Sequence, residues 1–360
     1  MNAADEFLKV AGDFQLGALD TEAPHPFTTS LSQMARDDVG EGIKLMHEVD
    51  ILAVRKMDKA SPRIVELARA VGTTFAAGRR VFLCGCGATG RLSLSIEIFC
   101  RQGVLPCPGA DRVRAFMAGG DLALIKSIEA FEDHPEYGAR ELEDLGFEDG
   151  DLLISSTEGG ETPFVIGATE RAAEISTNKP WFLYCNPDEQ LLALVERSRA
   201  VIENGRIEKM NLAVGPMALS GSTRMQASTV LMAAIGFAFL HAHEPEAAAE
   251  EVRRLRAMLE DLNVKFMVPF IEKEAALYEA GGLVLYESER FGITVVTDTT
   301  ERAPTFSLAS FENQQQKDDP VSLCHFIMPG QPDALAAWHA LLGRAPVSYT
   351  HLTLPTSDLV

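Results

Sequence analysis

The sequence predicts an α/β fold built on a parallel β-sheet with helices on both faces. Short apolar segments, such as VFLCG at 81–85 and DLLISS at 151–156, alternate with segments whose apolar residues recur at helical spacing. This alternation is typical of parallel strands joined by covering helices. Three of the apolar segments are followed by loops rich in Gly, Ser or Thr. Because the carboxyl ends of parallel strands share one edge of a sheet, we expect a ligand site there.

Composition narrows the class of protein. The chain has 360 residues, 46% of them hydrophobic, which is enough for one large domain or two ordinary ones. Its formal net charge is −20 and no dense run of Lys and Arg occurs, so we expect no nucleic-acid partner. The N-terminus lacks the pattern of a secretory signal, and the longest apolar run, 230–240, is too short to span ~30 Å of hydrocarbon. We therefore expect a cytoplasmic protein without a membrane segment.

The cysteines and histidines indicate neither disulfides nor a metal site. The six cysteines, at positions 84, 86, 100, 107, 185 and 324, lack paired C-x-x-C spacing, so reduced and mostly buried thiols are expected. Cys86 is either a small loop filler or a thiol whose pKa a helix N-terminus lowers. His241 and His243 stand two residues apart, so on a helix they face different directions. We expect no metal.

The elements follow in a regular order. Apolar residues at helical spacing predict a helical lead-in within residues 1–77, which Gly78 ends. A first α/β domain is predicted at 78–243, with strands at 81–85, 113–119, 151–156, 181–186 and 211–216. Its predicted helices lie near 91–102, 121–131, 135–145, 163–175 and 223–240.

A second, incomplete unit is predicted after a helical connector at 244–279. The segment AGGLVLYESERFG at 280–292 repeats the layout of AAGRRVFLCGCGATG at 76–90, with glycines before and after an apolar strand. This second unit extends only over 280–345. The remaining residues, 346–360, include VSYTHLTLPTSDLV, which breaks the preceding helical pattern, and we expect them to be a non-native tail.

The first Gly-rich loop, GCGATGR at 85–91, contains a literal G-x-G-x-x-G between a strand and a helix. Its backbone N–H groups, the Thr89 hydroxyl and the helix N-terminus predict an anion site. A dinucleotide site also requires an acidic residue about 20 residues further on. Asp121 comes 31 residues after Gly90, which fits this requirement poorly. We therefore predict a phosphate site and no nucleotide cofactor.

The second and third loops carry hydroxyls next to helix N-termini. SSTEGGETP at 155–163 ends in a proline suited to the first turn of a helix, so it is either a binding loop or an ordinary capped turn. GPMALSGSTRM at 215–225 places Arg224 where it can pair with a phosphate or carboxylate, or cap a neighbouring helix. Short polar groups of this kind suit a sugar phosphate. The candidate binding residues are Gly87, Ala88, Thr89, Gly90, Arg91, Ser155, Ser156, Thr157, Gly160, Thr162, Ser220, Ser222, Thr223 and Arg224.

These loops, in this order, resemble the SIS (sugar isomerase) domain of N-acetylmuramic acid 6-phosphate etherases and of the glucokinase regulatory protein. The matching segments are GCGATGRL, AGGDLALIKSIEAFED at 118–133, GGETPFVIGA at 159–168, CNP at 185–187 and GPMALSGSTRM, within a resemblance that runs from about Thr21 to Leu240. The resemblance implies a three-layer αβα SIS domain, followed here by a partial second SIS-like unit. It also implies a sugar 6-phosphate bound between the loops, commonly in a homodimer. Two tandem units, one of them degenerate, are the layout of the glucokinase regulatory protein.

The resemblance implies two catalytic glutamates, and this chain keeps one of the two positions. The etherases remove a lactyl ether by elimination and rehydration, in which one group takes a proton and another gives one. Glu132 occupies one position, whereas Phe99 occupies the other. Glu97, about 200° around a helix from Phe99, is a solvent or interface residue or an assisting acid. Glu301, in TDTTERAPTF at 297–306, matches the missing acid from within the second unit.

Two functions remain open from the sequence. One is a lyase or isomerase that acts on a phosphorylated amino sugar, with Glu132 as acid or base and Glu301 or Glu97 assisting. The other is a non-catalytic sensor whose sugar-phosphate occupancy controls a sugar kinase. Gly159, Glu161 and Gln226 replace the usual serine, arginine and lysine of the family, which we expect to weaken or alter binding of a substrate that carries both phosphate and carboxylate.

Overall fold

A five-stranded parallel sheet organises the first two thirds of the chain. The structure, a computed structural model, describes residues 16–124, 131–299 and 324–346. In this sheet Leu83 lies beside Ala115 on one side and Ile154 on the other, and all four neighbouring pairs are parallel. The predicted parallel sheet is thus confirmed. The strands, in the spatial order β2-β1-β3-β4-β5, are β1 Val81–Gly85, β2 Val113–Met117, β3 Leu152–Ser156, β4 Trp181–Tyr184 and β5 Glu208–Asn211.

Helices precede and connect these strands. The segment predicted as a helical lead-in contains α1 Leu31–Asp37, α2 Val39–Met57 and α3 Ser61–Ala76. The connecting helix α6 begins at Pro163, as predicted, because a proline in the first helical turn has no N–H to leave unpaired. The helices between and after the strands are α4 Gly87–Arg101, α5 Pro135–Asp144, α6 Pro163–Ile175, α7 Asp188–Leu194, α8 Glu196–Glu203 and α9 Gln226–Leu240.

Alternate strand residues enter two separate apolar layers, one on each face of the sheet. Val81 and Leu83 belong to a buried cluster that also contains residues of α2, α3, α4 and α9. Phe82 and Cys84 belong to a second cluster, formed with residues of α5, α6 and α8. This is the period of two expected for a strand buried on both faces. Because full burial of each large apolar side chain contributes about 1.5–3 kcal/mol, the two layers hold the αβα sandwich together.

The rest of the chain continues with two helices and a small parallel sheet. These elements are α10 Ala248–Asp261, α11 Val268–Glu279, β6 Val284–Glu287, α12 Gly292–Thr299, β7 Cys324–Ile327 and α13 Ala334–Leu342, with β6 paired to β7. We call the described residues of 284–346 the C-terminal segment. Ile293 and Leu341 of this segment are buried in the cluster that contains the α4 residues. The rings of Phe99 and Phe291 meet edge to face, with centroids 5.9 Å apart, so the segment packs on α4.

The position of β5 corrects one prediction. The sequence predicts a strand at 211–216, whereas β5 ends at Asn211. The N–H of Leu212 still donates to the Tyr184 carbonyl of β4 at 2.7 Å, but the strand goes no further, and the burial of Leu212 and Val214 explains their apolar character. The Asn211 side chain accepts from the N–H of Ala213 at 2.8 Å, in a local turn that leads the chain away from the ladder.

Three helix predictions also change. Helix α4 begins at Gly87 rather than Arg91, because the side chain of Thr89 caps it at Cys86. Helix α9 begins at Gln226 instead of near Thr223. The helix predicted at 121–131 is a single 3₁₀ turn over its described part, Asp121–Leu124. Residues 125–130 and the expected tail at 347–360 lie outside the described residues. Within the described ranges, no helix is both long and apolar enough to cross a membrane.

Candidate active site

The glycines of the first loop allow close packing of the backbone. A Cβ at Gly85 would lie 2.3 Å from the carbonyl carbon of Thr89, and one at Gly90 would lie 2.5 Å from Met117 Cβ. Only glycine therefore lets the end of β1, the start of α4 and β2 approach this closely. The Thr89 hydroxyl accepts from the Cys86 N–H at 3.0 Å and donates to the Cys86 carbonyl at 2.8 Å. The hydroxyl that the sequence assigned to a ligand thus caps α4.

Glu132 lies against this first loop. The Cys86 thiol donates a hydrogen bond to Glu132 Oε2 at 2.8 Å, and the Glu132 side chain is exposed. The Glu132 carbonyl accepts from the Phe164 N–H at 2.9 Å, which fixes this residue beside the start of α6. Burial, followed by the charge of Glu132, raises the pKa of Cys86 well above its usual value. Cys86 is therefore a protonated hydrogen-bond donor, and the alternative of an activated thiol is wrong.

The second loop is tightly organised by its own hydroxyls. The Thr157 and Thr162 hydroxyls are 3.0 Å apart, and Thr157 Oγ1 also accepts from the Gly160 N–H at 3.3 Å. The hydroxyls of Ser155 and Ser156, at the end of β3, are fully buried and have no hydrogen-bond partner within the described part of the chain. Because a buried hydroxyl without a partner is costly, these two serines are the strongest local indication of a bound polar group.

Buried Asn186, in the CNP segment after β4, supports the second loop. Its side-chain amide donates to the Gly159 carbonyl at 2.9 Å and to Thr21 Oγ1 at 3.0 Å, and its side-chain oxygen accepts from the Thr21 N–H at 3.1 Å. The Asn186 side chain thus makes hydrogen bonds with both the amide nitrogen and the carbonyl oxygen. Asn186 thus connects the second loop to Thr21, which is far from it in sequence.

The third loop carries its hydroxyls at or near the surface. Ser220 is exposed, and Ser222 and Thr223 are half-buried. Arg224 donates from Nη2 to the carbonyl of Thr297 at 2.8 Å, in the last turn of α12. The arginine therefore binds a helix C-terminus, which is the alternative use that the sequence left open.

Gln226, which stands where the family has a lysine, anchors the start of α9. Its side-chain oxygen accepts from the Ala218 N–H at 2.8 Å, and its amide donates to Asp50 Oδ1 at 2.5 Å. Burial, partly offset by this hydrogen bond, raises the pKa of Asp50. The substitution of the lysine thus gives a neutral structural link between the third loop and α2.

A cavity of about 200 Å³ joins the first and third loops to the C-terminal segment. Arg91 and Arg224 both line it, and Arg91 is almost fully buried, with Nη2 donating to the Ala123 carbonyl at 2.6 Å. The second loop is not part of its lining. The lining residues are Ala88, Arg91, Leu92, Ser95, Arg224, Ser228, Thr229, Met232, Thr294 and Thr297.

Glu158 links the second loop to this cavity. Its Oε1 accepts from the Ser228 hydroxyl at 3.2 Å, and Ser228 is one of the lining residues. Its backbone carbonyl accepts from the Cys185 N–H at 3.0 Å. The Glu158 residue is 8% exposed, whereas Glu132 is open to solvent. The sequence reasoning passed over this residue, although a carboxylate inside a predicted anion-binding loop is a signal in itself.

Glu97 lies in a buried ion-pair network, away from the loops. Its carboxylate pairs with Arg101 Nε at 2.9 Å and Arg344 Nε at 3.1 Å, and it accepts from the Ala115 N–H at 3.1 Å. Arg344 also pairs with Asp121 at 2.6 Å. Glu97 is therefore an interface residue between α4 and the C-terminal segment, and it is not exposed to solvent. Glu301, the other assisting candidate, lies outside the described residues.

Comparison with known proteins identifies the domain that contains these loops. Residues 63–173 match the family model described as the glucokinase regulatory protein N-terminal SIS domain. The chain carries a SIS domain. The matched residues include the first and second loops, Glu132 and strands β1, β2 and β3. The third loop and the C-terminal segment lie beyond the match.

Relatives of known name extend the similarity beyond the SIS domain. The N-acetylmuramic acid 6-phosphate etherase of Aliivibrio fischeri (strain MJ11) is 30% identical over 210 residues, covering 56% of this chain and 65% of that protein. The etherase of Rhodopirellula baltica is 31% identical over 215 residues, covering 60% and 66%. This chain thus spans just under two thirds of the length of these relatives. A solved phosphoheptose isomerase from Francisella tularensis is similar at a TM-score of 0.37 and 18% identity, over 59% of this chain and 97% of that chain.

No metal site accompanies the SIS domain in the described residues, where histidine, cysteine and carboxylate side chains form no group able to hold an ion. The polar groups that are available belong to serine, threonine, arginine and glutamate side chains at the three loops. Hydroxyls and arginines bind phosphates and sugar hydroxyls, and glutamates transfer protons. These side chains can therefore support phosphate binding and acid–base chemistry.

Proposed function

We propose that the SIS domain binds a phosphorylated amino sugar at the carboxyl edge of its sheet. The support comes from two arginines of the first and third loops that line one cavity, from the link between Glu158 of the second loop and Ser228 in that lining, and from two buried serine hydroxyls without described partners. A phosphate accepts hydrogen bonds from serine hydroxyls, from arginine and from the N-terminus of a helix such as α4. The names of the relatives supply the class of sugar, since they act on N-acetylmuramic acid 6-phosphate.

We propose further that the protein is a carbon–oxygen lyase that cleaves the lactyl ether of this sugar. The observation that carries the proposal is the 2.8 Å hydrogen bond from Cys86 to Glu132, which holds a carboxylate at the mouth of the phosphate loop. Elimination of lactate needs a group that delivers a proton to the leaving oxygen, and rehydration needs a group that takes a proton from water. A carboxyl group at this position delivers the first proton in its protonated form and is left as the carboxylate that takes the second proton from water.

Lactate release tests the proposal directly. The full chain is incubated with N-acetylmuramic acid 6-phosphate, and lactate is measured with time for the wild type, Glu132→Gln and Glu136→Gln. Glu136 is an exposed glutamate on α5 that pairs with His134, so its variant is a matched control. We expect Glu132→Gln to lower the rate at least 100-fold and Glu136→Gln to leave it unchanged. Equal rates for all three proteins would remove Glu132 from the mechanism.

Ligand-dependent stability tests the binding site separately. A sugar 6-phosphate that binds only the native state raises the melting temperature, whereas NAD should not change it. Arg224→Met should reduce the stabilisation by the sugar phosphate, because it removes a charged donor from the cavity. Stabilisation by NAD and not by sugar phosphates would overturn the site assignment.

The alternative, a sugar-phosphate sensor that controls a sugar kinase, is favoured by one specific observation. The family model that matches residues 63–173 is that of a regulatory protein, and the C-terminal segment contacts the third loop through Thr297 and Arg224. A sensor would be stabilised by sugar phosphates without releasing lactate, and would change the rate of a sugar kinase only in their presence. We also propose that the protein is a homodimer, as the family resemblance implies. Light scattering of the full chain tests this by measuring its mass in solution.

A further inference from the structure

Two cysteines meet at the carboxyl end of α4. The helix ends in a Schellman turn, in which the Gly103 N–H donates to the Cys100 carbonyl at 3.2 Å. The second bond of this turn runs from the Val104 N–H to the Phe99 carbonyl at 2.8 Å. Gly103 has the left-handed φ of 70° that the turn requires. The turn reverses the chain, and Val104 and Cys107 then pack against the buried cluster that contains Cys100.

The two thiols are hydrogen-bonded to each other. The Cys100 thiol donates to the Cys107 sulfur, which also lies 3.1 Å from the Gly109 carbonyl oxygen. The two cysteines are seven positions apart in sequence, and Pro106 and Pro108 on either side of Cys107 restrict the backbone there. Local structure therefore holds the two sulfurs together. Sulfurs in hydrogen-bond contact need only a small rotation of the side chains to form a disulfide.

The two sulfurs have different surroundings. Cys100 is 6% exposed, whereas Cys107 is only half-buried. The hydrogen bond from Cys100, with help from the charges of Arg101 and Arg112, lowers the pKa of Cys107 despite its partial burial. The same hydrogen bond, followed by burial, raises the pKa of Cys100. Cys107 is thus a thiolate that solvent reaches, and Cys100 is a protonated thiol beside it.

We propose that Cys107 and Cys100 form a reversible disulfide when the protein meets a hydroperoxide, with Cys107 reacting first. The Cys107 thiolate attacks one peroxide oxygen, so an S–O bond forms, the O–O bond breaks and hydroxide leaves. The product is a sulfenic acid on Cys107. The Cys100 sulfur then displaces the sulfenic oxygen, which leaves as water with the Cys100 proton, and the S–S bond forms. The two sulfurs are oxidised, the peroxide is reduced, and a dithiol reductant reverses the change.

This pair lies outside the proposed sugar-phosphate site. Cys100 is in the last turn of α4, whereas the first Gly-rich loop begins the same helix at Gly87. The disulfide therefore uses no residue of the three loops, and the inference holds whether or not the proposed function does. Cys86, in the first loop, has the opposite surroundings, because burial and the charge of Glu132 raise its pKa. It provides a partly exposed cysteine for comparison.

Peroxide treatment of the full chain tests the pair. Wild type, Cys100→Ser and Cys107→Ser are reduced, exposed to hydrogen peroxide with and without dimedone, which traps sulfenic acids, and digested for non-reducing mass spectrometry. Cys86→Ser is the matched control. Wild type and Cys86→Ser should both give peptides linked through Cys100 and Cys107, which dithiothreitol separates. Cys100→Ser should instead carry dimedone on Cys107, at a rate at least about tenfold above that on Cys86. Cys107→Ser should give neither the link nor an adduct on Cys100.

Three results would overturn the proposal. One is a wild type that accumulates oxidised Cys107 without the linked peptides, because Cys100 then does not react with it. Another is a link between two chains, seen as a dimer on a non-reducing gel. The third is a dimedone adduct on Cys100 of Cys107→Ser that forms as fast as the one on Cys107 of Cys100→Ser. Cooperative thermal unfolding of the reduced variants shows that they are folded. Cys100→Ala replaces Cys100→Ser if the buried serine hydroxyl prevents folding.

Discussion

Arg344 donates from Nη1 to Asp121 Oδ2 at 2.6 Å and from Nε to Glu97 Oε1 at 3.1 Å. The arginine follows α13, whereas its two partners belong to the SIS domain. Although burial alone lowers it, the hydrogen bonds and charges of Asp121 and Glu97 raise the pKa of Arg344 above its usual value. Asp121, which fits the spacing of a ribose-binding acid poorly, is therefore part of the contact between the C-terminal segment and α4.

Removal of Arg344 should destabilise the whole chain. Arg344→Met leaves Asp121 without this charge partner and Glu97 with Arg101 alone, so we expect the free energy of unfolding to fall by about 3 kcal/mol. Urea denaturation measures the change. Arg55→Met is the control, because Arg55 pairs with Glu260 at the surface and its loss should cost less than about 0.5 kcal/mol. Equal effects of the two variants would mean that the buried network contributes nothing.

Cys107 should be the most reactive near neutral pH of five cysteines, the others being Cys84, Cys86, Cys100 and Cys185. A hydrogen bond from the Cys100 thiol, with help from Gly109 and the charges of Arg101 and Arg112, lowers the pKa of Cys107 to about 7. Since the thiolate is the reactive form, alkylation by iodoacetamide should rise with pH and reach half its maximal rate near that value. Mass spectrometry of digests locates the adduct, and Cys107→Ser should abolish it.

The other described cysteines provide the comparison. Burial raises the pKa of Cys84 and of Cys185, both of which are completely enclosed, so they should react only after unfolding. A Cys107 rate that is still rising steeply above about pH 8.5, as for a free thiol, would contradict the assigned shift.

Cys86 should act as a positioning residue for Glu132. Cys86→Ala removes the hydrogen bond at 2.8 Å, and with about 1 kcal/mol of hydrogen-bond energy lost we expect lactate release to fall about fivefold. Cys86→Ser keeps a donor and should restore most of the rate. If serine and alanine give the same rate, the contact has no part in positioning the carboxylate.

Gly85 should tolerate no side chain. Gly85→Ala places a Cβ 2.3 Å from the Thr89 carbonyl carbon, which is backbone and cannot rotate away. We expect a loss of about 1–3 kcal/mol in the free energy of unfolding and weaker stabilisation by sugar phosphates. Gly205→Ala, where a Cβ meets nothing within 4 Å, should change the free energy of unfolding by less than about 0.5 kcal/mol. A stable Gly85→Ala protein would contradict the close packing of β1 on α4.

Glu132 was indicated only by the family resemblance, whereas the sequence by itself determined the parallel sheet and the loops that follow its strands. These features depend on local patterns: alternation of apolar strands with helical segments, glycines at tight contacts, and hydroxyls and a proline at helix starts. Such signals are present in the order of the residues, so the predicted starts of β1, β2, β4 and α6 agree with the structure. The prediction of a strand at 211–216 was wrong because these apolar residues are buried mostly beyond the end of β5, which lies at Asn211.

Only the tertiary structure decided which side chains the buried carboxylates contact. Glu97 and Arg344 are 247 residues apart in sequence, and Glu158 and Ser228 are 70 apart. No periodicity reports such pairs, because they arise when separate elements pack on the same sheet. The sequence treated Glu97 as an assisting acid or a solvent or interface residue and overlooked Glu158. Both are buried by packing, Glu97 within an ion-pair network and Glu158 within the second loop, against Ser228 of α9.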